Sequence, residues 1–223
     1  QLDSSLTFSG YVDVYYSYDM NEPANNTKAG FLYNHNRHNE VNINVALLKA
    51  AYQTSRVRAN VAFMAGTYPE ANLAAEPGLL KNVYEANAGV KVSKKHNIWL
   101  DAGIFTSHIG IESAISKDCW TVTRSLVAEN SPYYQSGAKL TYITKNEKWT
   151  ASLLYLNGWQ RIRRLPGNNY PAGGTQIVFK PNDKIIFNYS TFYGSDKPDS
   201  ALRQRFYHDF YVNWQINNKF SII

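Results

Sequence analysis

Three groups of residues in this 223-residue chain have types and spacings that could do chemistry. His35 and His38 stand three apart in Asn34-His35-Asn36-Arg37-His38, a metal-like spacing, with Glu40 as the one nearby carboxylate. Cys119 is the sole cysteine, so no Cys-based zinc site or intrachain disulfide can form, and no metal or other cofactor is expected. His108, Ser107 and Ser113 supply the residue types of a hydrolase. Such a site requires serine, histidine and an orienting polar group to converge in space, and the spacing alone does not bring them together. The third group is larger. Arg56, Arg58, Asn60, Glu85, Asn87, Lys91, Asp101 and Lys139 occupy alternate positions in segments whose other positions are apolar. Charges and amides arranged in that way line a wet surface.

The elements that carry this third group are strands, because strict alternation gives a strand two unlike faces. Over 6–18, Leu6, Phe8, Val12, Val14, Tyr16 and Tyr18 share one face, opposite Thr7, Ser9, Tyr11, Asp13, Tyr15 and Ser17. Val41, Ile43, Val45 and Leu47 alternate with Asn42, Asn44 and Ala46, and Tyr84, Ala86, Ala88 and Val90 with Glu85, Asn87 and Lys91. The same period runs through 57–63, 98–104, 135–142, 149–155, 175–180, 185–193 and 206–215. Residues 219–223 begin an eleventh strand after these ten. The first strand reads as 13 residues. Soluble strands are usually about 5–6 residues long, whereas one crossing a bilayer at a tilt needs roughly 9–11.

Connections supply a second signal. Short turns near 54, 95, 145, 182 and 217 alternate with long segments at 19–39, 67–82, 106–134, 157–173 and 194–204. Outer-membrane barrels have this asymmetry, with short periplasmic turns and long extracellular loops. Tyr142, Trp149 and Trp214 lie beside short turns with the parity of the apolar face, as an aromatic girdle requires. Tyr52 and Trp99 lie near short turns on the opposite parity, through a register slip or as lumen or turn-packing residues.

Composition narrows the classes. Charged residues make up 18% and aromatic residues 14%, which argues against a helix-rich protein and against disorder. The longest aliphatic run, 45–48, is four residues, far short of the roughly 20 that a membrane-spanning helix needs. The net charge of +6 comes from residues scattered along strands and not clustered with stacking aromatics, so nucleic acid is not an expected partner. The opening Gln1-Leu2-Asp3-Ser4-Ser5 lacks a leader's basic and apolar regions, as expected of a mature exported protein or of a cytosolic one.

The fold class expected is therefore all-β: an antiparallel, up-and-down transmembrane β-barrel with at least 10–11 strands, as a single domain over 1–223. Within hydrocarbon every strand amide must pair, which favours closure. The ending at Ile222-Ile223 in mid-strand predicts that the chain is a fragment incomplete at its C-terminus. A charge facing lipid at midplane costs roughly 2–4 kcal/mol for Arg or Lys, so the charged face is expected to line a polar lumen. The excess of cations there predicts a mild anion preference.

Residues 103–113 (GIFTSHIGIES), 123–126 (TRSL), 132–137 (PYYQSG) and 156–160 (LNGWQ), with the opening strand motif 10–13 (GYVD), resemble the β-barrel porin-2 (OmpL-like) family of Gram-negative outer membranes. The Asn- and Tyr-rich style resembles Bacteroidetes members. The resemblance covers most of the chain and is densest over 99–160. It implies an outer-membrane porin, not an enzyme, located in the bacterial outer membrane. Expected partners are outer-membrane lipid and lipopolysaccharide, small hydrophilic solutes and, in a homo-oligomer, further copies of the chain.

In that light the 106–134 connection, with Glu112, Asp118, Trp120 and Arg124, either folds inward as a constriction or is a surface loop capped by its own packing. Arg161, Arg163 and Arg164 form a basic cluster past the LNGWQ motif, placed to gather anions or lipopolysaccharide phosphate, or simply solvated. Two rival functions stay open: an outer-membrane lipid hydrolase using His108 with Ser107 or Ser113, and a soluble lipocalin-like binder with apolar residues pointing inward.

Overall fold

The computed structural model describes residues 5–223. Its sheet runs β1 (Leu6–Ser17), β2 (Glu40–Gln53), β3 (Val57–Ala65), β4 (Val83–Lys91), β5 (Asn97–Thr106) and β6 (Tyr134–Ile143). It continues through β7 (Trp149–Leu156), β8 (Ala172–Asn182), β9 (Ile185–Gly194), β10 (Arg205–Gln215) and the two-residue β11 (Ser221–Ile222). Each strand pairs antiparallel with the next, giving one 11-stranded meander in which β1 and β11 are the outermost strands. Short turns and long connections alternate without exception, so all the long ones leave from the same end of the sheet. Two short helices, α1 (Thr67–Asn72) and α2 (Leu126–Glu129), lie in those long connections.

The faces are inverted relative to a soluble barrel. Phe8 (78% exposed), Val12, Leu48 (73%), Val61, Phe63, Leu100, Leu153, Phe206 and Phe210 face outward, while Asn44, Glu85, Asp101, Gln135, Asn188 and Ser190 are buried. Burying polar groups is tolerable only where each finds a partner, and the opposite face supplies few. A lipocalin-like binder with an apolar interior is therefore not what this sheet builds.

Alternation fails at two bulges, with consequences for the parity expected of β2 and β4. Asp13 pairs with Val45 and Val14 with Ile43, so Asn44 is the extra residue on β2. A one-residue insertion moves every later side chain to the other face. Val41 and Ile43 stay outside, but Val45 and Leu47 turn inward, contrary to the unbroken reading of 41–47. The same slip brings Tyr52 onto the exterior with Leu48, whereas Trp99 stays buried on the polar side. At the second bulge Ala62 pairs with Glu85 and Phe63 with Val83, leaving Tyr84 extra on β4. Tyr84 therefore packs inward and not on the apolar face. A further irregularity, at Lys180 and Pro181 on β8, follows from proline's missing N–H.

Gly103 and Gly137 are cross-strand partners on β5 and β6, with φ of 127° and 154°. A Cβ on either would collide with a neighbouring carbonyl, that of Ala86 or Tyr155, so the strands approach and bend there. Near the short turns Trp149 stacks on Phe179 at 4.2 Å and Phe179 on Phe187 at 6.1 Å, an aromatic row across β7, β8 and β9.

What apolar core exists lies on the polar side, at the end with long connections. One cluster joins Val45, Leu47 and Met64 of the wall to Tyr68, Leu73, Ile115 and Tyr133 of the connections 66–82 and 107–133. A second joins Phe105, Leu154, Leu156 and Phe192 to Ile109, with Trp159 packed against it. These clusters fasten the loops to the wall.

Candidate functional site

The alternating charges of the wall form ordered pairs. Arg58 on β3 reaches Asp101 on β5, with Nε to Oδ1 at 2.6 Å and Nη2 to Oδ2 at 2.5 Å. Strands two apart are separated by about 10 Å, so only a long side chain can make this bridge, and only over a small residue. Gly89 of β4 is that residue: it pairs with both Arg58 and Asp101, and a Cβ there would land on the Asp101 carboxylate. Lys49 on β2 repeats the design, reaching Glu85 on β4 at 2.6 Å over Ala62. Arg58 also stacks over Trp99 at 4.4 Å, which is the work Trp99 does on the polar side. Asn60 donates to Asn87 at 3.2 Å. Lys139, the cross-strand neighbour of Asp101, sits over the Phe105 ring at 5.0 Å.

Arg58, Asn60, Glu85, Asn87, Asp101 and Lys139 thus occupy one contiguous patch of β3 to β6. Arg56 and Lys91 do not join it. Arg56 lies in the turn before β3, and Lys91 is the last residue of β4, both at the short-turn rim.

The connection 107–133 folds over the polar face. Ser116 Oγ donates to Asp13 of β1 at 2.5 Å, and the Gly110 amide donates to Asp209 of β10 at 2.9 Å. The His108 carbonyl accepts from Gln176 of β8 and Ser190 of β9. Six chain steps link Gly110 to Ser116, so the carboxylates of Asp13 and Asp209 lie within about 30 Å of one another. In a flat sheet, nine strand spacings would hold them about 43 Å apart. The sheet therefore curls with its polar face inward.

Glu129 fixes this connection to 18–39, accepting from the amides of Tyr33 (2.9 Å) and Asn34 (3.4 Å) and from the Asn34 side chain. Burial pushes its carboxyl pKa above the usual range, against those donors. Glu76 does the same between 66–82 and 157–171, accepting from the amides of Ile162 and Arg163 and from the Tyr134 hydroxyl. These latches, Asp13, Glu76, Glu129 and Asp209, escaped sequence reasoning. Asp13 and Asp209 carried a signal, as acids at polar positions of the first and tenth strands.

Of the residues expected to narrow a lumen, Arg124 and Glu112 turn into the connection itself. Arg124 donates to the carbonyls of Ser113, Val122 and Ala114 and to Ser116 Oγ. Glu112 accepts from the amide and hydroxyl of Ser125, whose Oγ caps α2 by accepting from Ala128 N. Asp118 and Trp120 remain exposed, and Trp120 borders a cavity of about 550 Å³ shared with Phe210 and Tyr211 of β10.

The hydrolase arrangement is not assembled. His108 Nδ1 meets the Gln135 side chain at 2.7 Å and Nε2 the Thr191 carbonyl at 2.9 Å. Ser107 and Ser113 hydroxyls instead accept the amides of Ile109 and Ile115. Burial lowers the His108 pKa, so the neutral ring donates through Nε2 to the carbonyl. Nδ1 then needs a donor, which the Gln135 amide supplies when its NH₂, otherwise without a partner, is turned toward it. His35 binds Asp13 through Nε2 at 3.1 Å, and His38 Nδ1 accepts the Asp19 amide. Among the described residues no group of three His, Cys, Asp or Glu could hold a metal ion.

An antiparallel meander with an apolar exterior and a polar, loop-covered interior has the layout of a membrane β protein. A family model described as putative beta-barrel porin-2, OmpL-like, matches residues 5–223, and the chain belongs to that family. The family's description implies a channel and not an enzyme, and an outer-membrane location. No curated protein and no solved structure matches the chain.

Proposed function

We propose that the protein is an outer-membrane porin through which small hydrophilic solutes diffuse passively along the polar face of a closed barrel. The observation that carries this is the inversion of the sheet: the apolar residues are exposed, while the amides and charges of the β3–β6 patch on the other face are buried or partnered. In hydrocarbon that arrangement is the stable one, because the unpaired edges and the charges are withdrawn from lipid. Long connections then face outward from the cell and short turns face the periplasm.

The 107–133 connection, pinned to Asp13 and Asp209 on opposite walls, acts as the constriction, its shape set by Arg124 and Glu112 within it. Selectivity is weak, because Arg58 and Lys49 are neutralised by Asp101 and Glu85, and the mild anion preference comes from Lys139. Planar-bilayer recording of the refolded protein tests the reading. Ohmic single-channel steps are expected, and electrically silent but folded, inserted protein would refute it.

A further inference from the structure

We infer that the short-turn rim holds a binding site for the phosphate group of an anionic phospholipid, centred on Arg56, Lys91 and Lys94. This rests on the reading of the apolar face as lipid-facing and adds a ligand to it. The turn 54–56 and the turn 92–96 enclose a cleft of about 330 Å³ lined by Arg56, Lys91 and Lys94 with the hydroxyl-bearing Ser55 and Ser93. The three cations make no ion pair among the described residues, whereas Lys49 and Arg58 on the wall above are both paired. Three unpaired cations facing one cleft repel one another unless an anion joins them. A tetrahedral phosphate presents acceptors that a guanidinium, two ammonium groups and two hydroxyls can share.

The position selects a lipid over a free ion. Val92 lines the same cleft, and the cross-strand pair Val57 and Val90 continues from it along the exposed apolar face. A headgroup in the cleft would therefore lay its acyl chains on those valines. The wider charge distribution agrees. The five short turns carry seven Lys and Arg against Glu147 and Asp183, while the five long connections carry ten against nine acids. Positive charge is thus concentrated at one interface, where anionic headgroups attract it.

The test embeds wild-type protein and the variant Arg56→Gln/Lys91→Gln/Lys94→Gln in phosphatidylcholine nanodiscs containing phosphatidylglycerol. Native mass spectrometry then counts the lipid carried out with the protein. Wild type is expected to retain phosphatidylglycerol preferentially, with the preference falling about five-fold per cation removed. The variant Lys28→Gln/Lys117→Gln, at the other end, should retain it like wild type. Equal retention by all three proteins, with normal insertion, overturns the lipid site alone. Displacement of the lipid by millimolar inorganic phosphate also overturns it, since a free ion would then be the ligand. Failure of every protein to insert into lipid overturns the membrane reading itself, and the site with it.

Discussion

Arg58 and Asp101 meet across an intervening strand because Gly89, lying between them, has no side chain. This bridge neutralises Arg58, as Glu85 neutralises Lys49. Replacing Asp101 with Asn should leave Arg58 unpaired and shift the reversal potential toward anions, and Arg58→Gln should shift it toward cations. Either change removes a charge-assisted hydrogen bond and should cost about 1.5–3 kcal/mol in urea unfolding. Gly89→Val should break the bridge while leaving both charges in place, and so should carry the stability cost without either shift in selectivity.

The two faces make opposite predictions at adjacent residues. Val61 is exposed on the apolar side, and Asn60 points to the polar side beside Asn87. Val61→Arg should destabilise the protein in lipid by about 2–4 kcal/mol. Asn60→Arg should be accepted and should raise anion preference. Refolding into vesicles followed by urea titration distinguishes them, and equal tolerance of both substitutions would contradict the assigned faces.

Deleting 111–127 removes the crossing between Asp13 and Asp209. Single-channel conductance should rise about two-fold or more if that segment narrows the path. Unchanged conductance would show that it is a surface cap.

Glu129 gives a pH signature. Burial raises its folded pKa, so the folded state holds the proton more tightly than the unfolded chain. Its contribution to stability is full below the ordinary carboxylate range and is lost as pH rises through the raised value. Relative to Glu129→Gln, wild type should therefore lose stability as the solution is brought from acid toward neutral. Urea midpoints of both proteins across that window check the sign. Comparing the two isolates Glu129 from His35 and His108, whose burial-lowered values act in the opposite direction.

Gly137→Ala should impair folding more than most exposed changes. Its φ of 154° and the Tyr155 carbonyl beside it leave no room for a methyl group. A cost of about 1–3 kcal/mol follows from overpacking alone, read as reduced yield of heat-modifiable folded protein. Gly173→Ala, where a Cβ would meet only the Leu154 carbonyl at 3.7 Å, serves as the tolerant control.

Strand count, the sense of the apolar and polar faces and the alternation of long and short connections could be read from residues 6–223 because each depends on neighbours in the chain. A period of two needs only local sterics and solvent. Three features could not be read that way. The bulge at Asn44, which turns Val45 and Leu47 inward and Tyr52 outward, depends on how β1 aligns with β2. The neutralisation of Arg58 depends on Gly89 and Asp101, 31 and 43 positions away. Arg124 and Glu112 carry the residue types of a charged constriction, yet the fold commits them to carbonyls and amides of their own segment. Partner choice of this kind is decided by non-local packing, where many side chains compete for the same few acceptors and only the assembled sheet settles which is near enough.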